Sequence, residues 1–232
     1  MVIPSDSPAL EEYFTDGPGR VTARFEKLAG LIGWFAEYLT LPPGDFDEKV
    51  RSFACVRYGR TGVVALSAYD TEPENLARIR LAERWRSSLE ALMKESVPLL
   101  LNGAAEQLEM LMDLAGREGV AEDRLVRVDC GERDVASTTT QFDALRRLGY
   151  ESLVAVTTQY HVPRVLLTAQ RRLTGALCHV AGVPYADFPY DASKVVFGEI
   201  WRILQYAAKG DIADPLELLS PTCTSTIGPE HF

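Results

Sequence analysis

A chain of 232 residues is long enough to bury a sizeable core without disulfide staples and is within reach of one large α/β domain. Hydrophobic residues at 47% and charged residues at 25% argue against disordered, collagen-like and membrane-spanning architectures. With 24 Lys plus Arg against 33 Asp plus Glu, the net charge of -9 disfavours nucleic acid or an anionic membrane as a partner, while leaving room for a local basic site.

The N-terminus has no charged segment leading into an apolar one, so no secretory signal is expected. The most apolar early stretch, Leu28 to Leu39, is too short to span a bilayer and carries Glu37. Four scattered cysteines, Cys55, Cys130, Cys178 and Cys223, show neither metal-ligand spacing nor a disulfide framework, which fits unpaired thiols in the cytoplasm.

Residues 1–60 read as a helical extension, with a helix over Val21 to Leu39 ended by Leu41-Pro42-Pro43-Gly44. From Thr61 the pattern alternates between short apolar runs and longer amphipathic segments. Thr61 to Ser67 is the first run. A helix from Glu74 to Met93 follows, introduced by Thr71-Glu72-Pro73-Glu74, the pattern of a capping box with proline in the first turn. Val97 to Leu101 and Arg124 to Asp129 are the next two runs, separated by a helix from Ala104 to Arg117 that Gly119 closes. The third helix spans Thr138 to Leu148, with Ser137 as its N-cap and Gly149 as its stop. Ser152 to Thr157 is the fourth run and Ala176 to Gly182 the fifth; helices over Pro163 to Leu173 and Ser193 to Ala208 follow them. The tail, 211–232, is rich in Pro, Thr and Ser.

Strands alternating with helices predict a Rossmann-like, doubly wound, mainly parallel five-stranded sheet over 61–210 with helices on both faces. Ligands in such sheets sit beyond the carboxyl ends of the strands, where the strand order reverses. That rule selects the polar segments at those ends.

The most informative is Thr157-Thr158-Gln159-Tyr160-His161-Val162-Pro163-Arg164. Pro163 suits a first helical turn, which places Arg164 against the positive end of the helix dipole, an unfavourable position for a cation. An anion held by the helix N-terminus and the guanidinium would remove the conflict, with Thr157, Thr158 and His161 around it. The plain alternative has Arg164 reaching solvent or a surface carboxylate and His161 capping the turn. His161, whose ordinary pKa is near neutrality, is the candidate general acid/base.

Asn102-Gly103 opens a helix after a strand, either for close backbone approach to a ligand or as an ordinary turn. Glu132 and Asp134 are placed to bind sugar hydroxyls, and Ser137, Thr138 and Thr139 to contact phosphate or carboxylate, unless Ser137 is only a cap. Ser67, Tyr69 and Asp70 lie after the first strand, where dinucleotide binders carry G-x-G-x-x-G; that fingerprint is absent. Neither G-x-S-x-G nor G-x-x-x-x-G-K-[ST] occurs, so an α/β-hydrolase nucleophile and a P-loop are disfavoured. His179 reads as a packed core ring, His231 lies in the tail, and no metal cluster is expected.

The succession "RIRLAERW", "VPLLLNG", "REGVAEDRLVRVD", "ASTTTQ" and "LVAVTTQYHVPRVLLTAQR" over about residues 61–185 resembles the bacterial SanA/ElyC/YdcF-like proteins. Its most specific part places Thr157, Thr158, His161 and Arg164 on V-T-S-x-x-H-x-x-R. The resemblance implies a Rossmann-like domain binding a nucleotide-type small molecule, S-adenosylmethionine among the proposals, with links to cell-envelope physiology. It carries over Arg80, Asn102, Gly103, Thr138, Thr139, Thr157, Thr158, His161 and Arg164 as site residues.

Departures are specific. Leu66-Ser67-Ala68 stands where the family shows glycines, Asn102-Gly103-Ala104 replaces S-G-G, and Thr138 to Phe142 replaces N-T-x-E-N. They point to an altered ligand or an intracellular role. The expectation is a cytoplasmic enzyme of group transfer or hydrolysis acting on an anionic nucleotide-like molecule, or alternatively a non-catalytic ligand-binding or regulatory module, or an envelope-related factor.

Overall fold

The computed structural model describes residues 29–30, 32–33, 35, 44–68, 72–184 and 192–213. The expected helix over Val21 to Leu39 and the tail therefore lie largely outside the described residues, as do Tyr69, Asp70 and His231.

Helix α1 (Phe46–Val56) is capped by Asp45, whose carboxylate accepts from the backbone N–H of Asp47 at 2.8 Å. Strand and helix then alternate as β1 (Thr61–Leu66), α2 (Glu72–Met93), β2 (Leu99–Gly103), α3 (Ala105–Arg117) and β3 (Leu125–Asp129). The second half runs α4 (Thr138–Arg147), β4 (Ser152–Thr158), a 3-10 turn over Gln159–His161, α5 (Val162–Arg172), β5 (Leu177–Val183) and α6 (Ala192–Ala208). The strands form one all-parallel, Rossmann-like sheet in the order β3-β2-β1-β4-β5. The chain builds outward from β1 through β2 to β3 and then returns to β4 on the other side of β1. The order thus reverses between β1 and β4.

Every residue of β1, β2 and β4 is buried, as strands covered on both faces must be, which is why they read as continuous apolar runs. Side chains alternate across the sheet. Val63, Ala65, Leu99, Leu101, Val154 and Val156 face α1, α2 and α3, while Val64, Leu66, Leu100, Leu153 and Ala155 face α4 and α5. Each such Val or Leu contributes about 1.5–3 kcal/mol relative to exposure. Trp85 centres the first layer, with Phe46 edge-on at 5.3 Å and the His179 ring at 5.0 Å, so His179 is a packing residue. A third, smaller apolar cluster joins Leu167 of α5 to Ile200, Ile203 and Leu204 of α6 and to Phe35 and Ile212.

Two boundaries have identifiable causes. Ser137 Oγ accepts from Thr140 N at 3.2 Å to start α4, and Gly149 at φ +67° ends its exit turn. β2 begins two residues later than the apolar run suggests and extends through Asn102-Gly103, because those two residues pair with Val128 and Asp129 of β3.

Candidate functional site

The carboxyl ends of β1 and β4 open into a cleft of about 340 Å³. Its walls come from Ser67 and Ala68 after β1, Arg78 of α2, Glu132, Val135 to Thr138 and Gln141 around the start of α4, Tyr160, His161 and Arg164 after β4, and Glu199, Arg202 and Tyr206 of α6. Five separate stretches of the chain thus meet at the point where strand order reverses, the place where open parallel sheets bind ligands.

Pro163 sits in the first turn of α5 and so fixes the position of Arg164. The Arg164 side chain is 7% exposed and every arm is engaged. Nε and Nη2 donate to the two carboxylate oxygens of Glu199 at 2.8 and 3.2 Å, and Nη1 donates to Thr138 Oγ1 at 2.7 Å. Nη2 also meets His161 Nε2. A guanidinium only donates, so Nε2 is the accepting nitrogen and the ring proton belongs on Nδ1. Nδ1 is buried and has no hydrogen-bond partner among the described residues.

The anion that the Arg164 position calls for is therefore supplied by the chain itself. Glu199 carries both Arg164 and Arg202, whose Nη1 donates to Glu199 Oε1 at 2.7 Å, and it lies 3.8 Å from His161. Burial raises the Glu199 pKa, but His161 and the guanidinium of Arg164 outweigh it and hold the carboxyl at about 2. Burial, reinforced by the positive charge of Arg164, pushes the His161 imidazole down to about 3. At neutral pH, His161 is a neutral ring and Glu199 a carboxylate.

A second buried cluster forms the opposite wall. Arg78, 1% exposed, donates from Nη2 to Glu74 Oε1 at 2.6 Å, from Nε to Thr158 Oγ1 at 3.0 Å and from Nη1 to the Leu66 carbonyl at 2.9 Å. Thr158 Oγ1 and the Tyr160 hydroxyl both donate to Glu74 Oε1. Tyr160 stacks on His161 at 5.8 Å, which ties this wall to the first.

The floor is an amide network. Gln107 Oε1 accepts from Ser67 Oγ at 2.8 Å and from the backbone N–H of Ala104 and Ala136, each at 3.1 Å. Gln141 Nε2 donates to Ser67 Oγ at 2.9 Å. Asn102, fully buried, donates to the Gln141 carbonyl at 3.1 Å and receives the Cys130 thiol at 3.3 Å.

Of the residues selected from sequence, the fold brings Ser67, Glu132, Ser137, Thr138, His161 and Arg164 together on the cleft wall. Asn102, Thr157 and Thr158 lie behind it, fully buried. Gly103 does permit a close approach, but to protein: a Cβ there would come within 2.9 Å of Ser67 Oγ and 3.1 Å of Gln107 Cβ. The start of α3 is closed as well, since Ala105 and Glu106 donate to the carbonyls of Glu132 and Arg133. Thr139 is half-buried outside the cleft lining, and Asp134 is an exposed partner of Arg133. Arg80 is 61% exposed on the outer side of α2, bonded through both arms to Glu118 at 2.8 Å, away from the cleft. Asp70 lies outside the described residues.

Sequence reading missed Glu74, Arg78, Gln107, Gln141, Tyr160, Glu199, Arg202 and Tyr206. Glu74 and Arg78 had a visible signal, an i,i+4 ion pair on the helix face that also carries Ala82, Trp85 and Leu89.

Fold and cleft together define a Rossmann-like α/β protein with a polar cleft at the topological switch point. No family model, curated protein or solved structure matches the chain. Among the described residues, no helix is long and apolar enough to cross a membrane and no group of His, Cys, Asp or Glu is arranged to hold a metal ion.

Proposed function

We propose that this chain binds an anionic, nucleotide-like small molecule in the cleft between the ends of β1 and β4. The carrying observation is the Arg164 fork at the start of α5, held in this structure by Glu199, on a cleft shared with the Ser137 and Thr138 hydroxyls at the start of α4 and with Arg78. Two helix N-termini and guanidinium groups converging on one cleft are suited to a phosphate or carboxylate. Tyr160 and Tyr206 offer ring faces for the remainder of the ligand, and Glu132 at the rim is an acceptor for hydroxyls. The SanA/ElyC/YdcF-like resemblance supports the same reading, because its His161 and Arg164 positions lie on this wall. S-adenosylmethionine and nucleotide sugars are the ligand classes to try first, and cytoplasmic residence belongs to the same proposal.

Recognition is favoured over proton transfer in the unliganded state, because a histidine held at about 3 and a carboxyl at about 2 are both far from neutrality. One observation favours catalysis as a second reading: His161 Nδ1 is a buried donor without a partner in the described structure. A ligand that takes Arg164 over would free Nε2 to act as a base in group transfer or hydrolysis.

The test is a thermal-shift panel of S-adenosylmethionine, nucleotides, nucleotide sugars and phosphorylated metabolites. A ligand at one hundred times its Kd stabilises the fold by about 2.7 kcal/mol. A hit that His161→Gln retains while losing turnover supports the enzyme; a hit with no turnover in either protein supports the binding module. Silence across the panel removes the proposal.

A further inference from the structure

Resting on that reading, we infer that Glu199 occupies the ligand's own anion subsite, and that an incoming oxyanion takes Arg164 by displacing Glu199 together with the N-terminal half of α6.

Arg164 grips Glu199 through Nε and Nη2, the two-pronged geometry in which a guanidinium takes a carboxylate or a phosphate. The carboxylate lies where the α5 N-terminus and the Thr138 side of the cleft converge, so no second oxyanion can use that fork while Glu199 holds it. Both Arg164 and Arg202 are served by this one carboxylate. Displacement frees the Arg164 fork for the newcomer, while Arg202, one turn further along the same helix, keeps Glu199 paired as it leaves.

The attachment of α6 fits such a movement. It stands outside both sheet-face cores, packs through one apolar side from Val196 to Leu204, and is anchored further at its C-terminal end. There Ile203, Leu204 and Ile212 pack with Leu167, Arg172 Nη2 bonds Asp211 Oδ1 at 2.7 Å, and Ala213 N donates to the Leu167 carbonyl at 3.1 Å. Toward the N-terminal end Phe197 is 63% exposed, Val196 is partly buried against the same cluster, and Glu199 is a polar tie to α5. A helix pinned at its C-terminal end, with its other half joined to the cluster by Val196 and to α5 by an exchangeable ion pair, can swing without opening either sheet-face core.

The chemistry required of the ligand is a pair of oxygens sharing negative charge, as phosphate and carboxylate both provide. Calorimetry with inorganic phosphate, pyrophosphate and citrate on wild type, Glu199→Gln and Glu199→Gln/Arg164→Ala distinguishes these sources. Glu199→Gln should bind at least one probe tenfold or more tighter than wild type, and the double variant should lose the gain. Glu199→Asp, which keeps the charge on a shorter arm, should fall between them and covers the case in which Gln fails to fold. In wild type, saturating probe should speed hydrogen exchange over residues 194–200 while leaving β4 unchanged.

Equal or weaker binding by both Glu199 variants, or no binding of any probe by any protein, overturns the inference. Its failure is separate from that of the proposed function. A nucleotide-like ligand that binds wild type with α6 exchange unchanged sinks the displacement alone. Tight phosphate binding by Glu199→Gln beside a silent panel sinks the larger ligand alone.

Discussion

Thr157 and Thr158 adjoin in β4, are both fully buried, and have opposite fates: Thr158 Oγ1 is shared between Arg78 and Glu74, while Thr157 Oγ1 has no hydrogen-bond partner in the described structure. The pleat explains the difference. Alternate side chains point to opposite faces, so Thr158 lies on the α2 side with Val154 and Val156, and Thr157 on the α4 and α5 side with Leu153 and Ala155. A buried hydroxyl without a partner costs about 1–3 kcal/mol, and replacing it by a group of the same shape removes that cost. Thr157→Val should therefore be neutral or stabilising by about 1 kcal/mol, whereas Thr158→Val, which deprives two charged groups of a partner, should cost about 2–3 kcal/mol. Urea midpoints at constant m-value decide, and a Thr157→Val protein less stable than Thr158→Val would contradict the account.

Arg78 and Arg80 provide a second contrast from one tripeptide, Arg78-Ile79-Arg80. Arg78 is enclosed with Glu74, and removing one member of a buried pair leaves an uncompensated charge, at a cost of about 3–5 kcal/mol. Arg78→Met should be destabilised on that scale, and Glu74→Gln/Arg78→Met should recover much of the loss. Arg80→Ala breaks only an exposed pair with Glu118 and should leave the unfolding midpoint unchanged. Unfolding curves of these variants test it.

The same tripeptide marks where sequence reading ran out. Periodicity, glycine stops and the Ser137 cap expose the strand–helix alternation, because each is a local signal set by backbone chemistry. The ends of β1 and β4 could be named as cleft-forming because parallel sheets open there, and His161, Arg164, Thr138 and Ser67 lie on the cleft wall. Arg78 and Arg80 differ only in rotation about a helix, so two residues of register separate a cleft wall from solvent; the clue was Glu74 four residues before Arg78. Glu199 lies 35 residues from Arg164, and that pairing exists only in three dimensions. Its local clue was a carboxylate among Val196, Ile200 and Ile203 on the buried side of α6.

Gly182 in β5 is a quiet determinant of the site. A Cβ there would lie 2.9 Å from Gln159 Cα and 3.0 Å from Val162 Cγ2, and Gln159 Cα is backbone of the turn that leads to His161. Gly182→Ala must push that turn away from the sheet. Overpacking of this kind costs about 1–3 kcal/mol. The expected outcome is a lower melting temperature together with a shifted His161 ring resonance, while Gly198→Ala, whose Cβ would meet nothing within 4 Å, serves as the control. An unshifted His161 resonance in Gly182→Ala would show that the strand, not the turn, absorbs the strain.

His161 also makes stability depend on pH. Its imidazole is held at about 3, against an ordinary value near 6.5 in the unfolded chain, so between those values the unfolded chain binds one more proton than the folded one. Stability from this group is full above pH 6.5 and is lost as pH falls toward 3, at about 1.4 kcal/mol per pH unit. Glu199, held at about 2, adds its own loss only once pH enters the carboxylate range near 4.5, so the interval from pH 6.5 to 5 reports on His161. Across that interval wild type should lose about 2 kcal/mol more than His161→Gln, which preserves an acceptor for Arg164 but cannot titrate. Urea unfolding at half-unit steps measures the difference, and parallel pH profiles for the two proteins would mean that His161 is protonated in the folded state as readily as in the unfolded one.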